Sequence, residues 1–109
     1  MISLKWEIKQ DVLTVYPVGD LDMATAGVMK EEIETILYSR LGVKTLVVNL
    51  NRIRFIDSSG LGMFIGCYKY MQGRGGGMML VEASKNVYRI LEFSGMKKLM
   101  PILCEKQTK

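Results

Sequence analysis

Two adjacent serines follow an aspartate where an extended pattern changes into a helical one. The run Asp57-Ser58-Ser59-Gly60 lies between an apolar stretch at residues 45–50 and a helical pattern at residues 59–71. A helix N-terminus has unpaired backbone N–H groups and a partial positive charge. Spacing alone therefore favours Ser58 or Ser59 as a helix cap, with a hydroxyl offered for modification as the alternative. Asp57 either forms a local turn or orients the Ser58 hydroxyl or a phosphate on it.

Catalysis at these serines has little support in the rest of the chain. The sequence has no histidine, which excludes a Ser-His-Asp triad, histidine-ligated metals and a histidine general base. Asp57 and Leu61 stand where a Gly-x-Ser-x-Gly nucleophile turn needs glycine. The glycine-rich run at residues 73–77 follows a helix and lacks the Lys-Ser/Thr ending of a phosphate loop, so we interpret it as a connection. We therefore predict that the protein is not an enzyme and that it binds no cofactor and no metal ion.

Composition limits the other classes of function. The 109 residues are 49% hydrophobic, which predicts one domain over residues 1–109 with a true core. The net charge of +4 is scattered without a basic run, so nucleic-acid binding is not expected. The sequence has no apolar run of 18 residues, so we predict no membrane span. The alternating N-terminus does not resemble a signal peptide. Cys67 and Cys104 lack metal-ligand spacing and are predicted to be buried thiols of a cytoplasmic protein.

Hydrophobic periodicity predicts an α/β fold. The predicted order is β-β-α-β-α-β-α with a short terminal turn, and the first two strands form a hairpin around Gln10-Asp11. Strand–helix–strand crossovers imply parallel pairing, so we expect one mixed, mostly parallel sheet with helices packed over it. Asp22 or Thr25 is expected to cap the first helix, with Asp22 favoured as a cap. The polar tail at residues 105–109 is predicted to fray.

The helix predicted at residues 59–71 carries two apolar stripes and few charges. Leu61, Ile65 and Tyr68 form one stripe; Met63, Cys67 and Tyr70 form the other. If the first stripe faces the core, the second is left for a partner, and glycines allow another chain to approach closely. The hypothesis is that a partner contacts Gly62, Met63, Gly66 and Tyr70. The alternative is that the helix is buried on most sides.

Three segments together resemble a known family. These are Gly19-Asp20-Leu21-Asp22 with Thr25-Ala26; Val47-Val48-Asn49-Leu50 followed by Phe55-Ile56-Asp57-Ser58-Ser59-Gly60-Leu61-Gly62; and Glu92-Phe93-Ser94-Gly95-Met96. Their order and spacing resemble the STAS domain in its free-standing form, the bacterial anti-sigma factor antagonist. The chain departs from the family pattern at Asp20, where glutamate is more usual, and in its basic charge.

The resemblance implies a phosphorylation switch. Members of the family bind an anti-sigma factor that is a serine kinase, which frees the sigma factor. The kinase phosphorylates the serine after the aspartate, here Ser58, and a serine phosphatase resets it. Asp22, Asp57, Ser59 and Gly60 would surround the site. A different expectation is a STAS module acting as a scaffold or phospho-regulated adaptor in another bacterial signalling complex.

Overall fold

A six-stranded mixed sheet is the scaffold of the chain, seen in a computed structural model that describes residues 3–105. The elements, in chain order, are β1 (Ser3–Lys9), β2 (Val12–Leu21), α1 (Ala26–Tyr38), β3 (Thr45–Asn49), β4 (Ile53–Ile56), α2 (Ser58–Gly73), β5 (Gly77–Ala83), α3 (Lys85–Phe93), a 3₁₀ turn (Met96–Lys98) and β6 (Ile102–Cys104). The predicted α/β class, the opening hairpin and the mostly parallel pairing are confirmed.

The strands run in the order β1-β2-β3-β5-β6. β1 and β2 are antiparallel, and the pairs β2–β3, β3–β5 and β5–β6 are parallel. β4 is parallel to the last part of β2, beyond the point where β2 pairs with β3. The hairpin turn requires one residue in the left-handed backbone conformation, and Gln10 adopts it with a φ of 56°.

One face of the sheet forms the core and the other stays partly open. Strand residues alternate between the two faces, and the inner ones are fully covered, as Leu13, Val48 and Leu80 show. The helices bury Ile33, Phe64 and other apolar side chains against this face. The remaining large buried side chains are Leu21, Met29, Leu37, Leu46, Leu50, Ile53, Met71 and Leu91. Residues on the opposite face are only partly covered.

Several predicted details differ from the structure. Between the apolar stretch at residues 45–50 and the second helix lies a strand, β4, that the predicted order lacks. The predicted terminal turn is confirmed as the 3₁₀ turn, and an edge strand that the predicted order lacks, β6, follows it. Cys67 is buried as predicted, but the prediction that Cys104 is buried is wrong because β6 turns it toward solvent. In the predicted frayed tail, the N–H of Glu105 donates to the carbonyl of Ala83 at 2.8 Å; residues 106–109 lie outside the described chain.

Candidate functional site

Asp57 begins α2 and takes the capping role that spacing assigned to a serine. It is extended, with φ −108° and ψ −171°, and its Oδ1 accepts from the N–H groups of Ser59 at 2.8 Å and Gly60 at 3.2 Å. Two of the unpaired N–H groups of the first turn are thereby satisfied. The expectation of a cap at Ser58 or Ser59 is wrong, whereas the local, Asx-type role of Asp57 is confirmed.

Ser58 is the first residue of α2 and is exposed, whereas Ser59 is half-buried. The Ser58 hydroxyl makes no hydrogen bond within residues 3–105, and the N–H groups of Ser59 and Gly60 donate to Asp57 instead. Its oxygen is therefore on the surface without an internal partner that would have to be displaced.

Gly60 presses the start of α2 against the end of β2. A Cβ at position 60 would lie 2.8 Å from the Leu21 carbonyl oxygen and 2.9 Å from Cγ2 of Ile56. The same carbonyl of Leu21 accepts from the N–H of Asp57 at 3.1 Å. The end of β2 at Leu21 and the start of α2 at Asp57, Ser58 and Gly60 form a corner of the molecule. Gly60 is a packing residue of this corner, and any side chain there would push the helix start outward.

Asp22 follows Leu21 and shapes the turn that leads into α1. Its Oδ1 accepts from the N–H of Ala24 at 3.0 Å and from the Thr25 hydroxyl at 3.2 Å. Thr25 occupies the cap position and makes no side-chain cap bond, so the favoured prediction that Asp22 caps α1 is wrong. The hydrogen bond between Leu21 and Asp57 nevertheless brings the residue after β2 beside the residue before α2, at one end of the sheet.

The alternative that α2 is buried on most sides is confirmed, and the stripe left for a partner in the first hypothesis faces the core. Met63 is 4% exposed and Cys67 1% exposed, and their sulfur atoms lie 3.6 Å apart in the core. Leu61 and Ile65 are half-buried and pack against the same core. The prediction that Met63 contacts a partner is therefore wrong for this conformation, since its side chain fills the space between α2 and the sheet.

The other three residues assigned to partner contact have different surroundings. Tyr70 is half-buried: its ring packs edge-on against Tyr38 at 5.9 Å, and the Arg74 guanidinium lies 5.8 Å from its centroid. Gly66 lies under the flexible end of the Lys30 side chain. Gly62 is exposed, and a Cβ there would meet nothing within 4 Å. Of the four, only Gly62 offers an open surface on the first turns of α2.

Two exposed apolar residues near the corner were missed at the sequence level. Met23 is 84% exposed in the turn between β2 and α1, and Phe55 is 49% exposed on β4. Each lies two residues from one end of the Leu21–Asp57 hydrogen bond. An apolar residue inside the turn sequence Asp22-Met23-Ala24-Thr25 was the available signal for Met23.

Other site types find no support in the described chain. Residues 3–105 hold no group of three His, Cys, Asp or Glu side chains that could bind a metal ion, and none of their helices is both long and apolar enough to cross a membrane. A cleft of about 670 Å³ lies elsewhere, lined among others by Tyr16, Asn49, Arg52 and Glu82. None of the corner residues described above lines this cleft.

Comparison with known proteins gives consistent matches along the chain. The family model described as the STAS domain matches residues 3–107. The anti-sigma F factor antagonist of Paenibacillus polymyxa is 33% identical over 101 residues, covering 93% of this chain and 86% of that protein.

Solved structures agree with this result. SpoIIAA, an anti-sigma factor antagonist in its unphosphorylated form, superposes with a TM-score of 0.77 at 25% identity, over 92% of this chain and 87% of that one. The Bacillus cell fate determinant SpoIIAA in its phosphorylated form has the same fold, with a TM-score of 0.69 at 24% identity over 92% and 90% of the two chains. With its mixed sheet, its three described helices and its Asp-Ser-Ser-Gly corner, this chain belongs to the STAS domain family.

Proposed function

We propose that this protein is an anti-sigma factor antagonist that binds an anti-sigma factor with serine kinase activity and so releases a sigma factor. Phosphorylation of Ser58 switches it off, and a serine phosphatase acting on phosphorylated Ser58 restores it. The observation that carries the proposal is the exposed Ser58 hydroxyl at the first position of α2. Two relatives support it: one is named an antagonist, and SpoIIAA exists in a phosphorylated form.

The fold should tolerate a phosphate on Ser58. The group adds a charge of about −1.5 to −2 at neutral pH. A helix N-terminus stabilises an anion by roughly 0.3–1 kcal/mol at an exposed site. Asp57 already accepts the N–H groups of Ser59 and Gly60, so the phosphate gains little beyond the helix dipole and the N–H of Ser58. We therefore expect little change in the free energy of unfolding.

Phosphorylation should change the free energy of partner binding far more than the free energy of unfolding. Phosphorylation adds negative charge beside Asp57, at the end of the sheet where Asp22 also lies. Burying this charge in an interface without matching cations costs several kcal/mol. A loss of about 2.7 kcal/mol weakens binding about a hundredfold, which is sufficient for a switch.

The docking surface that we propose around Ser58 consists of Met23, Phe55 and Gly62. Met23 and Phe55 offer exposed apolar area two residues from the two ends of the Leu21–Asp57 hydrogen bond, and Gly62 leaves space one helical turn beyond Ser58. Exposed apolar side chains of this kind commonly become the buried centre of an interface. The surface replaces the Met63 face predicted from sequence.

Phosphorylation is tested by incubating the protein with ATP and an anti-sigma kinase from the same organism. In the expected reaction the γ-phosphoryl group passes to Oγ of Ser58, the hydroxyl proton is lost and ADP leaves. Intact mass should show one added phosphate, absent in Ser58→Ala and retained in Ser59→Ala. Modification of Ser58→Ala to the same extent would refute the assignment of the acceptor.

The docking surface is tested by binding of the same anti-sigma factor. Met23→Glu and Gly62→Leu should each weaken binding at least tenfold, about 1.4 kcal/mol, without lowering stability. Leu41→Glu is the matched control, because Leu41 is 78% exposed but lies beyond the other end of α1. Unchanged binding of both corner variants would remove this surface from the proposal without affecting the assignment of Ser58.

A further inference from the structure

The outer edge of β1 is unpaired in the described sheet, and its sequence is self-complementary. β1 is the terminal strand, with β2 on its other side. Trp6 stands at its centre, flanked by Lys5 and Glu7. From this arrangement we infer that two copies of this chain associate through antiparallel β1–β1 pairing, with the two-fold axis at Trp6. The inference does not depend on the proposed function.

Pairing with β2 defines the faces of β1. Trp6 pairs with Val15 and Ile8 with Leu13, two residues on the buried face. Lys5 and Glu7 pair with Tyr16 and Thr14 on the open face. The apolar residues of β1 thus lie on the helix side and the charged ones on the open side, as strand alternation requires.

Only one of the nearby antiparallel registers is favourable. With Trp6 opposite Trp6 of the second copy, Lys5 lies opposite Glu7 of that copy, and this happens twice by symmetry. Directly opposed unlike charges stabilise a strand pair, and like charges destabilise it. Shifting the register by two residues places Lys5 opposite Lys5, or Glu7 opposite Glu7. The pattern therefore selects the register with Trp6 on the axis.

Apolar surface is available at the same place. Trp6 is 43% exposed, although it is on the core side of its strand. A groove of about 280 Å³ lies beside it against α1, lined by Glu31, Glu32, Thr35 and Ile36. In the selected register the indole of the second copy stands next to this groove, and Leu4 lies opposite Ile8. Pairing would cover these side chains and satisfy the edge N–H and C=O groups.

The association should be weak and dependent on concentration. A seven-residue strand edge forms a small interface, and small interfaces are typical of transient complexes. Sedimentation from about 10 µM to about 1 mM covers the range of such dissociation constants. The wild-type chain should pass from monomer to dimer within this range. A monomer at every concentration would overturn the inference.

Charge exchange tests the register. Glu7→Lys places lysine opposite Lys5 and should raise the dissociation constant at least tenfold. The double variant Lys5→Glu with Glu7→Lys restores unlike pairs and should recover the dimer. Both variants lose the hydrogen bond from Tyr16 to Glu7, so recovery reports on the contact between copies. Glu92→Lys on the exposed side of α3 controls for net charge. If Glu7→Lys dimerises as tightly as the wild-type chain, or if the double variant does not recover the dimer, the proposed register is wrong.

Cross-linking gives a second readout that does not depend on affinity. In a Cys104→Ser background, Trp6→Cys places two thiols opposite each other on the axis, close enough for a disulfide after slight adjustment. Lys9→Cys places the two thiols about 20 Å apart in the same dimer. Mild oxidation should link the first variant and not the second. Equal cross-linking of both, or none at position 6, would overturn the proposed axis.

Discussion

Replacing Gly60 by alanine should loosen the corner, while the same replacement at Gly62 should not. The new Cβ at position 60 would stand 2.8 Å from the Leu21 carbonyl oxygen and 2.9 Å from both Ile56 Cγ2 and Leu21 Cβ. The backbone oxygen cannot turn away as a flexible side chain could, so the start of α2 must shift. Overpacking of this kind costs about 1–3 kcal/mol.

Gly62 supplies the matched comparison. It is in the same helix, and its Cβ would have open space. Alanine gains up to about 1 kcal/mol over glycine in a helix, and this gain is similar in both variants. We therefore expect Gly60→Ala to be less stable than Gly62→Ala by about 1–3 kcal/mol.

Urea unfolding measures this difference, provided that the dependence of the unfolding free energy on urea stays the same in both variants. Gly62→Ala should match or exceed wild type in stability. If Gly60→Ala proves as stable as Gly62→Ala, the close approach of α2 to Leu21 is not a constraint, and the account of the corner is wrong.

Three further predictions concern the rest of the described structure. Asp57→Ala should lower the unfolding free energy by about 1 kcal/mol in urea, because two N–H groups lose their cap; an unchanged value would contradict the capping role. Arg74→Ala should lower it by about 1–2 kcal/mol, since the guanidinium donates to the carbonyls of Leu37 at 3.0 Å and Arg40 at 2.7 Å; Arg74→Lys should recover little of this loss. Burial raises the pKa of Cys67 from 9.0 to about 12, so a thiol reagent at pH 8 should label only Cys104 in the folded chain and both cysteines in denaturant. On raising the pH, the Cys67 thiol loses its proton at a lower pH in the unfolded chain than in the folded one. The free energy of unfolding should therefore fall as pH rises from 9.0 to about 12. Rapid labelling of Cys67 in the folded chain would contradict its burial.

The fold was largely predictable because most elements carry their own signals. The alternation of β1, the turn at Gln10-Asp11 and the amphipathic pattern of α1 each follow from local residue order. β4 escaped prediction because Arg54 and Phe55 are both exposed, which breaks alternation in a strand of four residues. Its pairing with the end of β2 is a tertiary event that residue order does not display.

The candidate site was predictable in location and only partly in detail. The position of Ser58 at a helix start followed from the sequence, but its capping partner did not, since Asp57, Ser58 and Ser59 are all good cap residues. The choice between the two hypotheses for α2 could not be made from the sequence, because the helix has glycines and few charges and no polar face marks its solvent side. A helix with low amphipathicity is oriented by packing, here of Phe64 and Met71 against the sheet.

The most direct test of the central claim compares the affinity of the cognate anti-sigma factor for the protein before and after stoichiometric phosphorylation of Ser58. Calorimetric titration should show binding about a hundredfold weaker for the phosphorylated protein. Its free energy of unfolding in urea should stay within about 0.5 kcal/mol of that of the unmodified protein. Equal affinity of the two forms, or unfolding of the phosphorylated form, would contradict a switch that acts on the partner through added charge at this corner.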